Sequence, residues 1–276
     1  MPNITCSDTV NLAEIYEGSL FFCNPVDTSN ALCNHATQIV EEVFENRITD
    51  ISTDHSTNLE KFVARASKCK STFTNDTNTK KLLSSLIKDR YELKNKDKLL
   101  FDVPRLRIVP NSNFLSSGVS YNYKPHRDTW YGGGQDQINH WISLASVSER
   151  STFYIAPHYF ARPLDNNSEI FDLDEWDSKY RKQATLNILV ENRPHPIPLV
   201  DLEVCDRYNI VLSRGAEVVF SGQHLHGSSE NTTSSVRFSI DYRVCLERNT
   251  NILPKNVDSR ATGDYKKYML PVGLSD

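Results

Sequence analysis

The hydrophobic positions of this chain change period about a third of the way along. In SNALCNHATQIVEEVFEN, residues 29–46, Ala31, Ile39, Val40, Val43 and Phe44 recur near helical spacing, and Ser29 or Asn30 can cap the start. That pattern predicts an amphipathic helix. Residues 77–92 predict another, with Leu82, Leu83, Leu86 and Ile87 on one side and lysines on the other. From about residue 99 the period shortens to two. RLRIVP, GVSYNYK, DQINHWISLA, STFYIAP, YNIVLSR, AEVVFSG and SVRFSIDYRV are short alternating runs with Gly, Pro and Asn between them. Such a series predicts a mainly β sandwich, barrel or jelly roll. No repeat and no low-complexity linker divides the chain. The expectation is therefore one domain over 1–276: a helical flank (1–98), a β core (99–246) with an insertion at about 158–200, and a C-terminal extension (247–276).

Composition narrows the partners. The 276 residues are 38% hydrophobic and 24% charged, ordinary for a globular protein with a sizeable core. A net charge of -4 gives no reason to expect nucleic acid or an anionic membrane. No apolar run is long enough to span a bilayer, and MPNITCSDTVNLAEIYEG has neither the basic start nor the apolar stretch of a secretory signal. Cys6, Cys23, Cys33, Cys69, Cys205 and Cys245 form no CxxC pair, which fits reduced thiols in a cytoplasmic protein.

Candidate chemistry sits in KPHRDTWYGGG, residues 124–134. Residues two apart in a strand share a face, so His126 and Asp128 project together and Arg127 points away. A neutral imidazole and a carboxylate on one face can serve a divalent metal. A second histidine would complete a two-histidine, one-carboxylate triad of the kind that leaves positions open on iron(II). Downstream, in FSGQHLHGSSENTTSSVRFSIDYR, His224 and His226 also share a face, and strand periodicity does not choose between them. In the strand that follows, Arg237, Ser239, Asp241 and Arg243 lie opposite Phe238, Ile240, Tyr242 and Val244. A buried polar row of that kind needs polar company, and an arginine fork suits a carboxylate.

Taken together, His126-x-Asp128, then His226-Gly227-Ser228, Asn231 and Arg237, resemble the phytanoyl-CoA-dioxygenase-like branch of the iron(II)- and 2-oxoglutarate-dependent oxygenases. The eleven-residue step from His226 to Arg237 suits that family and favours His226 over His224 as third ligand. FDVPRLR, QINHWISL and RPLDNNSEIFDLDEW are similar to bacterial members, so the resemblance covers about residues 99–246. It implies a double-stranded β-helix (a cupin-like jelly roll) with Fe(2+) held by His126, Asp128 and His226. It also implies 2-oxoglutarate held by Arg237, Ser239 and Asn139, with dioxygen as the third reactant. Related halogenases carry Gly or Ala at the carboxylate position, so Asp128 implies hydroxylation, desaturation or cyclisation instead.

A small-molecule substrate would meet Tyr123, Trp130, Tyr131, His224 and Arg243. Tyr121 and Tyr123 either line that pocket or pack at the barrel rim. The Gly132–Gly134 run allows a covering loop or a long turn. His158, Arg162, Asp165, Asp174, Asp177 and His195 lie in or beside the insertion, as contacts or as solvated loop residues. Arg243, Asp241, Tyr123 and Trp130 together suggest a small polar or zwitterionic substrate, such as an intermediate in natural-product tailoring.

Other classes fit less well. A kinase catalytic loop needs Asn where Gly133 stands and a DFG that the chain lacks. A zinc hydrolase also uses three protein ligands, but leaves Arg237 unexplained. A non-catalytic binding protein on a cupin-like barrel is the third reading.

Overall fold

The alternating run SVRFSIDYRV forms the strand around which the rest is laid. The computed structural model describes residues 3–92, 98–121, 123–203, 207–247 and 258–273. Its strands are β1 (Ile4–Cys6), β2 (Leu20–Cys23), β3 (Leu99–Asp102), β4 (Arg105–Val109), β5 (Ile138–Ser143), β6 (Phe153–Ala156), β7 (Tyr208–Asn209), β8 (Glu217–Ser221), β9 (Leu225–Ser228), β10 (Arg237–Leu246) and β11 (Met269–Pro271). The larger sheet runs β1-β2-β8-β5-β10-β3-β11, with β4 also on β10; the smaller runs β7-β6-β9. β10 meets β5 along one edge and β4 then β3 along the other, all antiparallel. No helix among the described residues is long and apolar enough to cross a membrane.

Both faces of the larger sheet are covered, which is why its strands can be so apolar. Phe238, Ile240, Tyr242 and Val244 of β10 turn to one side. There they pack against three helices: α2 (Asp27–Phe44), α3 (Leu59–Asn75) and α4 (Thr77–Arg90). On the other side Trp141, Phe153, Ile155, Val218 and Phe220 fill the space between the two sheets. Each large apolar side chain so buried contributes about 1.5–3 kcal/mol. The inward polar row of β10 faces the open end of that second layer, where a cavity of about 970 Å³ lies.

Several expectations shift. α2 begins a turn earlier than Ser29 or Asn30 as caps would have it. Ser29 lies inside the helix, where its hydroxyl accepts from Val26 N–H and donates to the Val26 carbonyl. α3 was not anticipated; its buried stripe of Phe62, Val63, Ala66, Cys69 and Phe73 is diluted by small residues and lysines. GVSYNYK is not a strand. It opens with a single 3-10 turn, Gly118–Ser120, and Asn122 lies outside the described residues. Of YNIVLSR only Tyr208–Asn209 forms a strand. The first third is not helical alone, since β2 extends the larger sheet through β8. Cys6, Cys23, Cys33, Cys69 and Cys245 are free thiols, and Cys205 lies outside the described residues.

One buried ionic network pins the helices to the sheet. Arg90, at the end of α4, donates to Glu217 of β8 at 2.8 Å, and both side chains are fully buried. The same carboxylate contacts His140 Nδ1 at 2.8 Å and accepts from the Tyr242 hydroxyl at 2.6 Å, while the Tyr91 hydroxyl contacts His140 Nε2 at 2.6 Å. Burial raises the Glu217 carboxyl, but His140, Arg90 and Tyr242 outweigh that and lower it. Removing one member of a buried pair strands the other charge, so Glu217→Gln is expected to cost about 3–5 kcal/mol in urea unfolding. A loss under about 1 kcal/mol would show that the network does not anchor α4 to the sheet.

Candidate metal centre

Two backbone hydrogen bonds set the site. His126 N–H donates to the His226 carbonyl at 2.8 Å, and His226 N–H returns the bond to the His126 carbonyl at 2.9 Å. This antiparallel bridge joins the segment before Asp128 to β9 and brings the two imidazole centroids to 4.3 Å. His126 Nδ1 lies 2.7 Å from the Lys124 carbonyl, and His226 Nδ1 lies 3.0 Å from the His224 carbonyl. A carbonyl only accepts, so each Nδ1 carries a hydrogen, which in the neutral ring leaves Nε2 its lone pair. Those Nε2 atoms stand 3.5 Å and 3.8 Å from Asp128 Oδ1. One donor atom from each of the three residues falls within 4.8 Å of the others.

Asp128 is held from behind. Its Oδ2 accepts from Gln137 Nε2 at 2.7 Å and from Arg243 Nε at 3.2 Å, which leaves Oδ1 facing the imidazoles. Burial alone would raise this carboxyl, but the Arg243 guanidinium and the two histidines outweigh it and hold it well below the usual carboxylate range. Burial and the neighbouring His126 push the His226 imidazole down to about 3, so it stays a neutral donor near pH 7. Gln137 also donates to Asn139 Oδ1 at 2.9 Å. Gly133 makes room for it: a Cβ there would lie 2.6 Å from Gln137 Oε1. From sequence Gln137 has no role beyond alternation with Asn139, which puts the two on one face.

Further along the cavity, Arg237 gives one N–H to the Ser151 carbonyl at 3.1 Å and lies over the Trp141 ring, 5.8 Å from its centroid. Its Nε and the Ser239 hydroxyl are buried without a hydrogen-bond partner. Burial and the repulsion of Arg107 lower the guanidinium to about 10, which leaves it cationic at pH 7. Stranded donors of this kind cost free energy unless an acceptor arrives. Asn231 has a structural part: its amide bonds the Val109 and Ser235 carbonyls and fixes the loop that leads into Arg237.

The expected substrate residues divide. Tyr123, Tyr131 and Arg243 line the cavity. Arg243, however, is engaged with Asp102, Asp128 and Asp241, so it orients carboxylates and is not a free contact. Trp130 is completely buried among Ala156, Tyr159 and Leu225, and its indole N–H donates to Asp258 at 2.7 Å. The reason is local: Asp128–Tyr131 is a 3-10 turn, so Trp130 and Tyr131 diverge and only Tyr131 reaches the cavity. His224 is also buried away from it. Its ring nitrogens lie 3.3 Å from the Ser221 carbonyl and 3.2 Å from the Gly18 carbonyl, under the Phe160 ring. Tyr121 and Tyr123 form part of the wall, with His195 stacked behind Tyr121 at 3.8 Å and in contact with the Tyr131 hydroxyl at 3.1 Å. Of the insertion residues, Asp177 reaches the cavity, where it pairs with Arg181 at 2.6 Å.

No family model matches the chain, and no curated protein matches it either. Solved structures do. EvdO2 from Micromonospora carbonacea var. aurantiaca, complexed with 2-oxoglutarate, superposes with a TM-score of 0.51 at 12% identity, over 90% of this chain and 96% of its own. The 2-oxoglutarate-dependent epimerase SnoN of nogalamycin biosynthesis gives 0.45 at 11%, over 95% and 94%. The non-heme monooxygenase ThoJ gives 0.44 at 15%, over 91% and 88%. At such identities the likeness to EvdO2 speaks for the fold, a jelly roll with flanking helices.

His126→Ala and His226→Ala are each expected to weaken cobalt(II) binding by about two orders of magnitude in calorimetric titration, and Gln137→Ala by about one. His224→Ala should leave the affinity within about threefold, because its ring faces backbone carbonyls. Loss of metal in His224→Ala, with retention in His226→Ala, would contradict this geometry.

Proposed function

We propose that the protein is an iron(II)- and 2-oxoglutarate-dependent oxygenase of the phytanoyl-CoA-dioxygenase-like kind, hydroxylating an unactivated C–H bond of a small polar substrate. The observation that carries this reading is one juxtaposition. Two imidazole nitrogens and one carboxylate oxygen converge in the same cavity as the Arg237 guanidinium, whose buried Nε lacks an acceptor, and two residues along β10 the buried Ser239 hydroxyl lacks a partner too. The donor set fits iron(II), and the stranded donors fit the far carboxylate of a dicarboxylic cosubstrate. A zinc hydrolase accounts for the first half only. The shared fold with EvdO2, whose structure holds 2-oxoglutarate, supports the same reading.

His126, Asp128 and His226 would hold the metal, and Arg237, Ser239 and Asn139 the cosubstrate. Iron(II), 2-oxoglutarate and dioxygen together supply an oxidant strong enough to take hydrogen from an unactivated carbon, with succinate and carbon dioxide as by-products. The chain's own contribution is geometry and exclusion of water. Gln137 and Arg243 keep Asp128 presenting a single oxygen, and Tyr123 and Tyr131 close the wall beside the metal ligands. Asp128 itself occupies the position that a halogenase leaves open for chloride, which favours hydroxylation.

A cytoplasmic tailoring step in natural-product biosynthesis suits a cavity of this size and polarity. In its most specific form, the proposed reaction is hydroxylation of 7-deoxy-cylindrospermopsin to cylindrospermopsin, a toxin-forming step. That substrate should be converted with one succinate per product. Succinate released without product would refute the substrate and leave the reaction class standing. Arg237→Ala removes charge-assisted hydrogen bonds of about 1.5–3 kcal/mol, so the 2-oxoglutarate requirement should rise about tenfold or more. An unchanged requirement would remove Arg237 from the cosubstrate site.

A further inference from the structure

The cavity carries more positive charge than the metal and cosubstrate sites explain. Eight Lys and Arg side chains line it against four Asp, in a chain whose net charge is -4. Most of those cations are already held: Arg105 by Asp102, Arg107 by Asp241, Arg181 by Asp177, Arg193 by Glu191, and Arg243 by three aspartates. The exposed Lys182 aside, Arg237 and Lys70 are the lining cations with no carboxylate at ion-pair distance among the described residues. Arg237 faces the proposed cosubstrate site. Lys70 is left over.

Lys70 projects from α3, a helix on the opposite flank from the metal ligands in sequence. Ser67, Lys70, Ser71 and Thr74 follow the i, i+3, i+4, i+7 spacing of one helix face, and all line the cavity. The ammonium donates to the Val119 carbonyl, which occupies one of its three N–H donors. The adjacent Ser120 hydroxyl, and that of Ser67, are buried without a partner. Burial and the repulsion of Arg107 push the Lys70 ammonium down to about 7, and the attraction of Asp241 offsets that only in part. Unfilled N–H and O–H donors beside an ammonium with no carboxylate at ion-pair distance are the recognition chemistry of an oxyanion.

We propose that Lys70, Ser67 and Ser120 form a subsite for an oxyanion group of the substrate (sulfate, phosphate or carboxylate), so that the enzyme accepts anionic or zwitterionic small molecules anchored by that group. The assignment to substrate rests on the oxygenase reading above; the anion site itself does not. With one end of the substrate held at α3, the position of attack is set by its reach back to Asp128 and the two histidines. Arg237 and Lys70 then divide the two anions of the ternary complex, the cosubstrate's far carboxylate and the substrate's oxyanion.

The test uses the full chain, with inorganic sulfate as probe and chloride at matched ionic strength as control. Wild type should bind sulfate saturably, and Lys70→Met should weaken that binding about tenfold or more while leaving 2-oxoglutarate affinity within about threefold. Arg237→Ala should do the reverse. Lys70→Arg should keep most of the sulfate affinity. Ser120→Ala should lower it about threefold, and supplies the answer if Lys70→Met does not fold. The proposal is overturned if sulfate binding is absent, if it follows Arg237 instead of Lys70, or if Lys70→Met raises the 2-oxoglutarate requirement. A wild-type protein that binds sulfate through Lys70 but neither binds nor consumes 2-oxoglutarate would sink the oxygenase reading and leave the anion site in place.

Discussion

The pair of backbone hydrogen bonds between His126 and His226 is the constraint on which the site depends. It fastens an irregular segment to β9, and so brings together two residues a hundred positions apart. Each imidazole is then oriented by a carbonyl two residues before it on its own chain, Lys124 for one and His224 for the other. The ligand geometry is therefore written mostly in main chain. Asp128 enters from the same segment and is aimed by Gln137, just before β5, and by Arg243 of β10. Substitutions elsewhere in the cavity can thus alter what binds there without moving the imidazoles.

β10 does two jobs with one alternation. Its apolar face closes the core under α2, α3 and α4, and its polar face supplies Arg237, Asp241 and Arg243 to the cavity, with Ser239 buried between them. A one-residue slip would exchange the faces, so the core specifies the register that places Arg237 and Ser239. Behind the sheet, the Arg90–Glu217–His140–Tyr242 cluster ties the helical layer to β5, β8 and β10. Lys70 reaches the cavity only because α3 is packed against that same layer.

Much of this was legible wherever one face of an element met core and the other did not. β10, β5 and the helices α2 and α4 show their period directly in the sequence. α3 does not, because its buried stripe relies on Ala66 and Cys69 and its other face is rich in lysine. GVSYNYK imitates a strand because its tyrosines alternate; in the structure their rings line a wall while the backbone opens with a 3-10 turn. The HxD spacing brought out His126 and Asp128, but nearness to them in sequence does not bring Trp130 to the cavity, since the chain tightens into a 3-10 turn at Asp128 itself. The choice between His224 and His226 was beyond periodicity altogether. Alternation would put both on one face, but in the structure His224 precedes β9, and the Gly18 and Ser221 carbonyls hold its ring away from the cavity. Gln137 showed only that it shares a face with Asn139, and Lys70 only its polarity, because their significance lies in contacts made by the fold, or in the lack of one.

The central claim is that metal and dicarboxylate share one cavity. Its most direct measurement is an anaerobic titration of the iron(II)-loaded protein with 2-oxoglutarate. The account predicts one equivalent bound, dependent on iron(II) and weakened by Arg237→Ala. A protein that takes up iron(II) at His126, Asp128 and His226, yet shows no binding of 2-oxoglutarate, would contradict it.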